Sequence, residues 1–287
     1  SRSVHIPGVI VYTSCWWGSS TCKPFPLLLL LPRPTMRKLC LLALFCSPLA
    51  VAQVVQVETN SFMRLPNAAS TLQLERLDVA DYGTLLIPAN VTELKVDDLH
   101  LGRDARIAIV PTGQSLQLIV RHAQLESGSQ ISSRGAPGTY EKVAKPGRNL
   151  NLRIESLNAE QLFVDARGGK GAPGYVGLDG ANGQEPGCTW GQAGRGADGD
   201  NGGDGRPGAS GAVVRLELPR DYPSEQIKVL VDGGAGGLAG AGGKPGAGGK
   251  SKGCLVYRTE KGATGKPGQP GQPGLAGAEG ELILQRL

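Results

Sequence analysis

Between about residues 70 and 166 the apolar positions repeat with nearly constant offsets. The first pass runs through Leu72, Leu74, Leu77, Val79, Gly83, Leu85 and Ile87. Twenty-two residues on come Leu94, Val96, Leu99, Leu101, Ala105, Ile107 and Ile109. Another 24 give Leu118, Val120, Ala123, Leu125, Ser129, Ile131 and Ser133. A looser fourth pass takes Leu152, Ile154, Leu157, Ala159, Leu162, Val164 and Ala166, after the Gly/Pro insert RGAPGTYEKVAKPGR (134–148). Within each pass the spacing is two, broken by three or four where the chain has to turn. Alternation at two gives strands with one buried face. A repeat of about 22 residues holding several short strands predicts an all-β fold of parallel β-helix or solenoid type, each rung covering its neighbour. The competing arrangement is an antiparallel sandwich with regular strand spacing.

Beyond residue 166 the period changes to three. Glycine marks every third position in 168–183, 196–211, 234–249 and 262–280, spanning 16 residues in the first three runs and 19 in the fourth. Strand-like segments interrupt them at Ala212–Leu218, Ile227–Val231 and Glu281–Leu284. These read as further rungs, so the glycine runs become two excursions, 168–211 and 233–280. Each excursion is a run, a 12-residue connector and a second run. The connectors, QEPGCTWGQAGR (184–195) and KSKGCLVYRTEK (250–261), both carry cysteine as their fifth residue. Sixteen extended residues reach roughly 50 Å at ~3.1 Å each.

A Gly-X-Y period supports two architectures. In collagen, three parallel chains bring glycine to a common axis. In an intrachain bundle of polyglycine-II hairpins, glycine lets neighbouring antiparallel arms approach until their amides bond. Matched arms and equivalent cysteines favour the hairpins. They would set Cys188 and Cys254 at one end, able to pair, and closing that loop would contribute about 4 kcal/mol. The stretch GKPGQPGQPG (265–274) keeps collagen open, as a β-domain joined to a triple helix, because proline is preset for the extended helix. Flexible glycine-rich linkers are the plainer alternative.

On its Gly-X-Y runs the chain resembles bacterial collagen-like secreted proteins. Its hairpin plan is similar to the polyglycine-II bundles of phage tail-tip adhesins and of a springtail antifreeze protein. Both resemblances cover only about 168–280 and rest on glycine spacing, and neither carries a functional residue onto this sequence. They imply a structural or adhesive role: loop tips presented on a bundle, or a trimeric stalk or fibre.

The N-terminal portion alters the charge and cysteine arithmetic. MRKLCLLALFCSPLAVA (36–52) has the basic start, apolar middle and Ala-Val-Ala end of an export signal. Residues 1–35 are then expected to be upstream read-through without structure. Residues 1–52 hold Arg2, Lys23, Arg33, Arg37 and Lys38 and no acid; removing those five from 30 Lys and Arg leaves 25, against 25 Asp and Glu. The net charge of +5 thus belongs to the leader. No basic surface remains to suggest a nucleic-acid partner. Of six cysteines only Cys188 and Cys254 persist, as expected for one disulfide in an exported chain. No later apolar run is long enough to span a bilayer. The domain scheme is 1–35, a signal at 36–52, a β-solenoid over 53–167 and a glycine-rich region over 168–287. Its expected destination is secretion or the cell surface.

Candidate chemistry is sparse. Asp78, Asp81, Asp97, Asp98 and Asp104 fall in the first two passes, and solenoids do host polysaccharide lyases and hydrolases. No carboxylate pair has a basic partner at an equivalent position, so an enzyme is not the expectation. His100 and His122 follow different phases of the repeat and suit exposed positions better than metal ligation. Asp198, Asp200 and Asp204, in GADGDNGGDG, form a weak calcium candidate against solvated side chains. No cofactor is indicated. The connectors are richer: Lys250, Lys252, Arg258 and Lys261 face one acid, Glu260, beside Tyr257, while the other connector supplies Trp190. Aromatic and cationic groups on loops held by a scaffold build binding surfaces. The partner expected there is a glycan or a cell-surface protein; on the collagen alternative the chain is a homotrimer.

Overall fold

Period-two alternation becomes two parallel sheets in the computed structural model, which describes residues 53–67, 69–189 and 191–287. The expected read-through (1–35), the expected export signal (36–52) and Trp190 lie outside those residues. Among the described residues thirteen strands alternate between the sheets. One sheet stacks β1 (Val54–Val57), β3 (Thr71–Val79), β5 (Glu93–Leu101), β7 (Leu116–Leu125), β9 (Leu150–Ala159), β11 (Val213–Leu218) and β13 (Glu281–Arg286). The other stacks β2 (Phe62–Arg64), β4 (Thr84–Ile87), β6 (Arg106–Ile109), β8 (Gln130–Ser132), β10 (Leu162–Asp165) and β12 (Ile227–Leu230). Consecutive strands therefore belong to opposite sheets, and each pairs in parallel with the strand two further on. The fold is all-β and solenoid-like.

The register follows the sequence repeat residue by residue. Leu72, Leu94, Leu118 and Leu152 stack, as do Leu77, Leu99, Ala123 and Leu157. Leu85 and Ile107 lead to Ile131 and Val164 in the second sheet. Inward positions such as Leu77, Leu94, Leu118 and Ile131 are wholly buried. Each buried aliphatic side chain contributes about 1.5–3 kcal/mol. The three-residue steps are a bend: in β5, Leu94 and Val96 point inward, Asp97 and Asp98 both lie outside, and Leu99 and Leu101 return to the core. A rung before the first recognised pass, β1 with β2, pairs Val55 with Leu77 and Met63 with Leu85.

Three corners that lead from the second sheet back to the first are drawn out into hairpins. The two long ones hold the glycine runs, here named arms 1 (168–183), 2 (196–211), 3 (234–249) and 4 (262–280). Gly168 to Gly183 donate every third amide to carbonyls from Asp232 to Ala247, so arms 1 and 3 run parallel. Gly196 to Gly211 donate likewise to arm 4, from Ala263 to Ala278. Antiparallel ladders join arms 1 and 2 (Gly203 N to Tyr175 O, 2.8 Å), arms 2 and 3 (Gly240 N to Gly203 O, 2.9 Å) and arms 3 and 4 (Gly271 N to Gly240 O, 3.0 Å). Gly240 thus meets three neighbours at once, and a Cβ there would fall on the Tyr175 carbonyl oxygen.

The third hairpin is the Gly/Pro insert, which sequence reading took as extra length only. Gly135 and Gly138 donate to Arg167 and Lys170, while Lys145 donates back to Ala136. The insert is a short version of the long excursions and extends their ladder by one layer. It ends on Arg148, fully buried, whose guanidinium donates to the carbonyls of Gln114, Pro88 and Val91. Burial pushes its pKa below the ordinary arginine value. The side chain clamps turns from two preceding rungs.

Candidate functional site

The far ends of the long hairpins meet. Cys188 and Cys254 form a disulfide, with Cα atoms 5.6 Å apart. The Tyr257 hydroxyl donates to the Cys188 carbonyl at 2.7 Å, a second tie between the connectors. Within the second connector, Cys254 N donates to Tyr257 O at 2.7 Å and Gly253 bridges Arg258 in antiparallel fashion. Thr259 is buried; its amide donates to Lys252 O at 3.0 Å and its hydroxyl accepts from Lys252 N at 2.9 Å. These bonds define a short hairpin turn with Leu255 and Val256 at its apex. Both are bare to solvent, at 104% and 88% relative exposure.

Lys250, Lys252, Tyr257, Arg258 and Lys261 are all exposed around that turn. Among the described residues no carboxylate lies within ion-pair distance of these cations. Tyr257, Arg258 and Lys261 also line a shallow cleft of about 470 Å³ against Gly191, Gln192 and Ala193. The structure therefore gathers these five side chains on one connector and joins it to the other connector. Trp190, the remaining member of the expected set, is outside the described residues.

The aspartates of the glycine runs serve a purpose that the sequence did not disclose. Asp198, Asn201 and Asp204 accept hydrogen bonds from the amides of Lys266, Gln269 and Gln272 at 2.7–2.8 Å. Asp179 and Asn182 do the same for Lys244 and Ala247. Each side chain thereby bonds an amide of the parallel arm beside it. The calcium candidates Asp198, Asp200 and Asp204 are spread along one extended arm: Asp198 and Asp204 are taken up by these amides, Asp198 also accepts from Arg195 at 2.8 Å, and Asp200 is exposed. Among the described residues no group of three or more His, Cys, Asp and Glu is placed to hold a metal.

A second cluster lies on the outer face of the first sheet. The register forms two adjacent rows: Arg76, Asp98, His122 and Ser156, and Asp78, His100, Gln124 and Asn158. His100 Nδ1 sits 2.8 Å from Asp78 and its Nε2 3.5 Å from Glu126; His122 Nδ1 sits 3.4 Å from Asp98. The two histidines keep the different phases and solvent-facing positions expected of them, and they share a face because residues two apart on one strand point the same way. The expectation that no carboxylate pair has a basic partner at an equivalent position needs correction. Asp97 also has a basic partner, Arg121 on the next rung at 3.2 Å. Ser156 stands beside His122 in register, yet among the described residues it makes no side-chain hydrogen bond to it. The surface is open, with His122 at 61% side-chain exposure. Asp81 instead accepts from the Arg103 amide at a corner.

Comparison with protein-family models, with curated proteins and with solved structures returned no match for this chain.

Proposed function

We propose that this chain is an exported, non-enzymatic surface or extracellular protein, structural or adhesive, that presents paired loop tips on a polyglycine-II bundle. One observation carries the proposal: the four-arm amide ladder brings both connectors to one end, where the disulfide joins them. Glycine amides in every arm already have partners within the chain, and consecutive arms run antiparallel. That favours an intrachain bundle over collagen, which needs three parallel chains. Arms of roughly 50 Å separate the tips from the solenoid, as suits a spacer. The tips themselves expose cations and an aromatic ring on bonded loops, the usual chemistry of recognition. A disulfide and an export signal fit the same compartment.

The non-enzymatic part rests on the acidic groups. Asp81, Asp97, Asp198 and Asp204 are each engaged by a neighbouring amide or arginine. Asp78 and Asp98 share an open cleft with His100 and His122, so the test below includes Asp98. The decisive experiment is binding of the labelled chain to glycan panels and to cell surfaces. Wild type is compared with a variant bearing Lys250→Ser, Lys252→Ser, Arg258→Ser and Lys261→Ser. Binding that drops at least tenfold in the variant supports presentation by the tips. Binding unchanged by the four substitutions overturns it, as does turnover on a polysaccharide that is lost on replacing Asp98.

A further inference from the structure

The apex of the second connector breaks turn chemistry. Gly, Asn, Asp and Pro ordinarily occupy the central positions of a tight turn. Here they are Leu255 and Val256, closed by the Cys254 N to Tyr257 O bond. Neither apex side chain packs on anything, although this turn is one of the more heavily fastened parts of the glycine-rich region. The disulfide, the Tyr257–Cys188 bond and the Lys252–Thr259 pair all brace it. Such bracing holds two aliphatic side chains outward in a fixed pose. Lys252 and Arg258 follow on the two sides of the turn, and Lys250 and Lys261 stand at its base with the single acid Glu260. None of the four cations has an ion-pair partner among the described residues.

We propose that this tip inserts into the surface of an anionic phospholipid bilayer, Leu255 and Val256 entering the acyl boundary while the four cations engage lipid phosphates. The proposal rests on the tip-presentation reading above and names its target. An apolar apex within a cationic collar matches an interface that is apolar inside and negative outside. A glycan would offer hydroxyl groups, which the branched hydrocarbon of Leu255 and Val256 has no means to bond. Pre-organisation adds to the match, since the braced turn has little conformational freedom to lose on insertion. The length of the arms keeps the solenoid clear of the headgroups.

Flotation of the full chain with vesicles tests this. Phosphatidylcholine vesicles doped with phosphatidylglycerol are compared with pure phosphatidylcholine, at low and high salt. Binding is expected to the doped vesicles and to weaken as salt rises. Leu255→Asp or Val256→Asp should each lower affinity by roughly tenfold or more, the loss expected for withdrawing one aliphatic side chain from the apolar phase. Leu255→Gln serves as a second variant where charge disturbs the turn, and non-reduced peptide mass checks that Cys188 and Cys254 stay joined in each. Leu275→Ser, on an exposed leucine of arm 4, should leave binding unchanged. Absence of binding to doped vesicles overturns the lipid assignment. So does binding indifferent to all three apex variants, which would be adsorption by charge alone. Retained tip-dependent binding to glycans or to a protein surface, without vesicle binding, removes the lipid target and leaves tip presentation standing; loss of all three removes both.

Discussion

Four residues share one corner of the coil and one backbone conformation. Asn60, Tyr82, Asp104 and Gly128 sit three positions beyond the stacked Val57, Val79, Leu101 and Leu125, and all have positive φ, from 53° to 76°. The amides of the first three donate to the equivalent corner of the next rung: Asp81, Arg103 and Ser127. Left-handed geometry at a non-glycine residue costs about 1–2 kcal/mol, with Asn and Asp eased by local bonding. Tyr82 is the misfit of the column, and it is 51% exposed, so little packing depends on its ring. Tyr82→Asn should therefore stabilise the chain by about 1 kcal/mol, read as a higher denaturant midpoint with unchanged slope. A lower midpoint would show that the ring contributes more than the strain costs. The column was not legible beforehand because its members, Asn, Tyr, Asp and Gly, share no hydropathy. Only their φ angles unite them.

At the scale of the element, glycine spacing translates directly into contact. Gly240 donates to arm 2, accepts from arm 4 and lies against the Tyr175 carbonyl of arm 1. Gly113, in the turn between β6 and β7, has open space where a Cβ would go. Gly240→Ala should destabilise by at least 2 kcal/mol, in line with overpacking a filled interior, whereas Gly113→Ala should be neutral or slightly stabilising. Thermal unfolding of the pair decides it: equal midpoints would mean that the arms do not pack through glycine. The hairpin plan of these arms was read from run lengths and connector symmetry. The insert at 134–148 escaped because its few glycines make no run. The Asp/Asn ladder escaped too, since Asp198 and Lys266 are 68 residues apart and only the register between parallel arms brings them together.

For the whole molecule, the junction between solenoid and arms governs integrity. Asp165 closes β10 just before arm 1, and Arg167 grips its carboxylate with two side-chain bonds of 2.9 and 2.8 Å. Burial pushes the Asp165 pKa up, but hydrogen bonds from the Arg167 side chain and amide, with its charge, outweigh burial and hold it below the ordinary value. A carboxylate depressed on folding contributes stability above its unfolded pKa, about 4, and loses it as pH falls through the lower folded value. Stability should thus decline below about pH 4, and Asp165→Asn should flatten that part of the profile while lowering stability at neutral pH. Denaturation midpoints across that range check this, and parallel profiles for both proteins would remove Asp165 as the cause.

What the sequence by itself determined is whatever local period dictates. Spacing at two, with a 22–24 residue repeat, specified stacked rungs down to the partners of Leu77 and Leu85. Spacing at three, with matched cysteines, specified arms that return. Tertiary structure alone decided the relations set by register across long separations. It put Arg148 under the turns of earlier rungs, His100 and His122 on one face, and the Asx side chains on amides of the neighbouring arm. It also left Leu255 and Val256 bare at a braced apex. A period fixes which way each side chain points; which distant backbone it meets depends on how many residues each corner extrudes, and that emerges only when all the rungs are stacked.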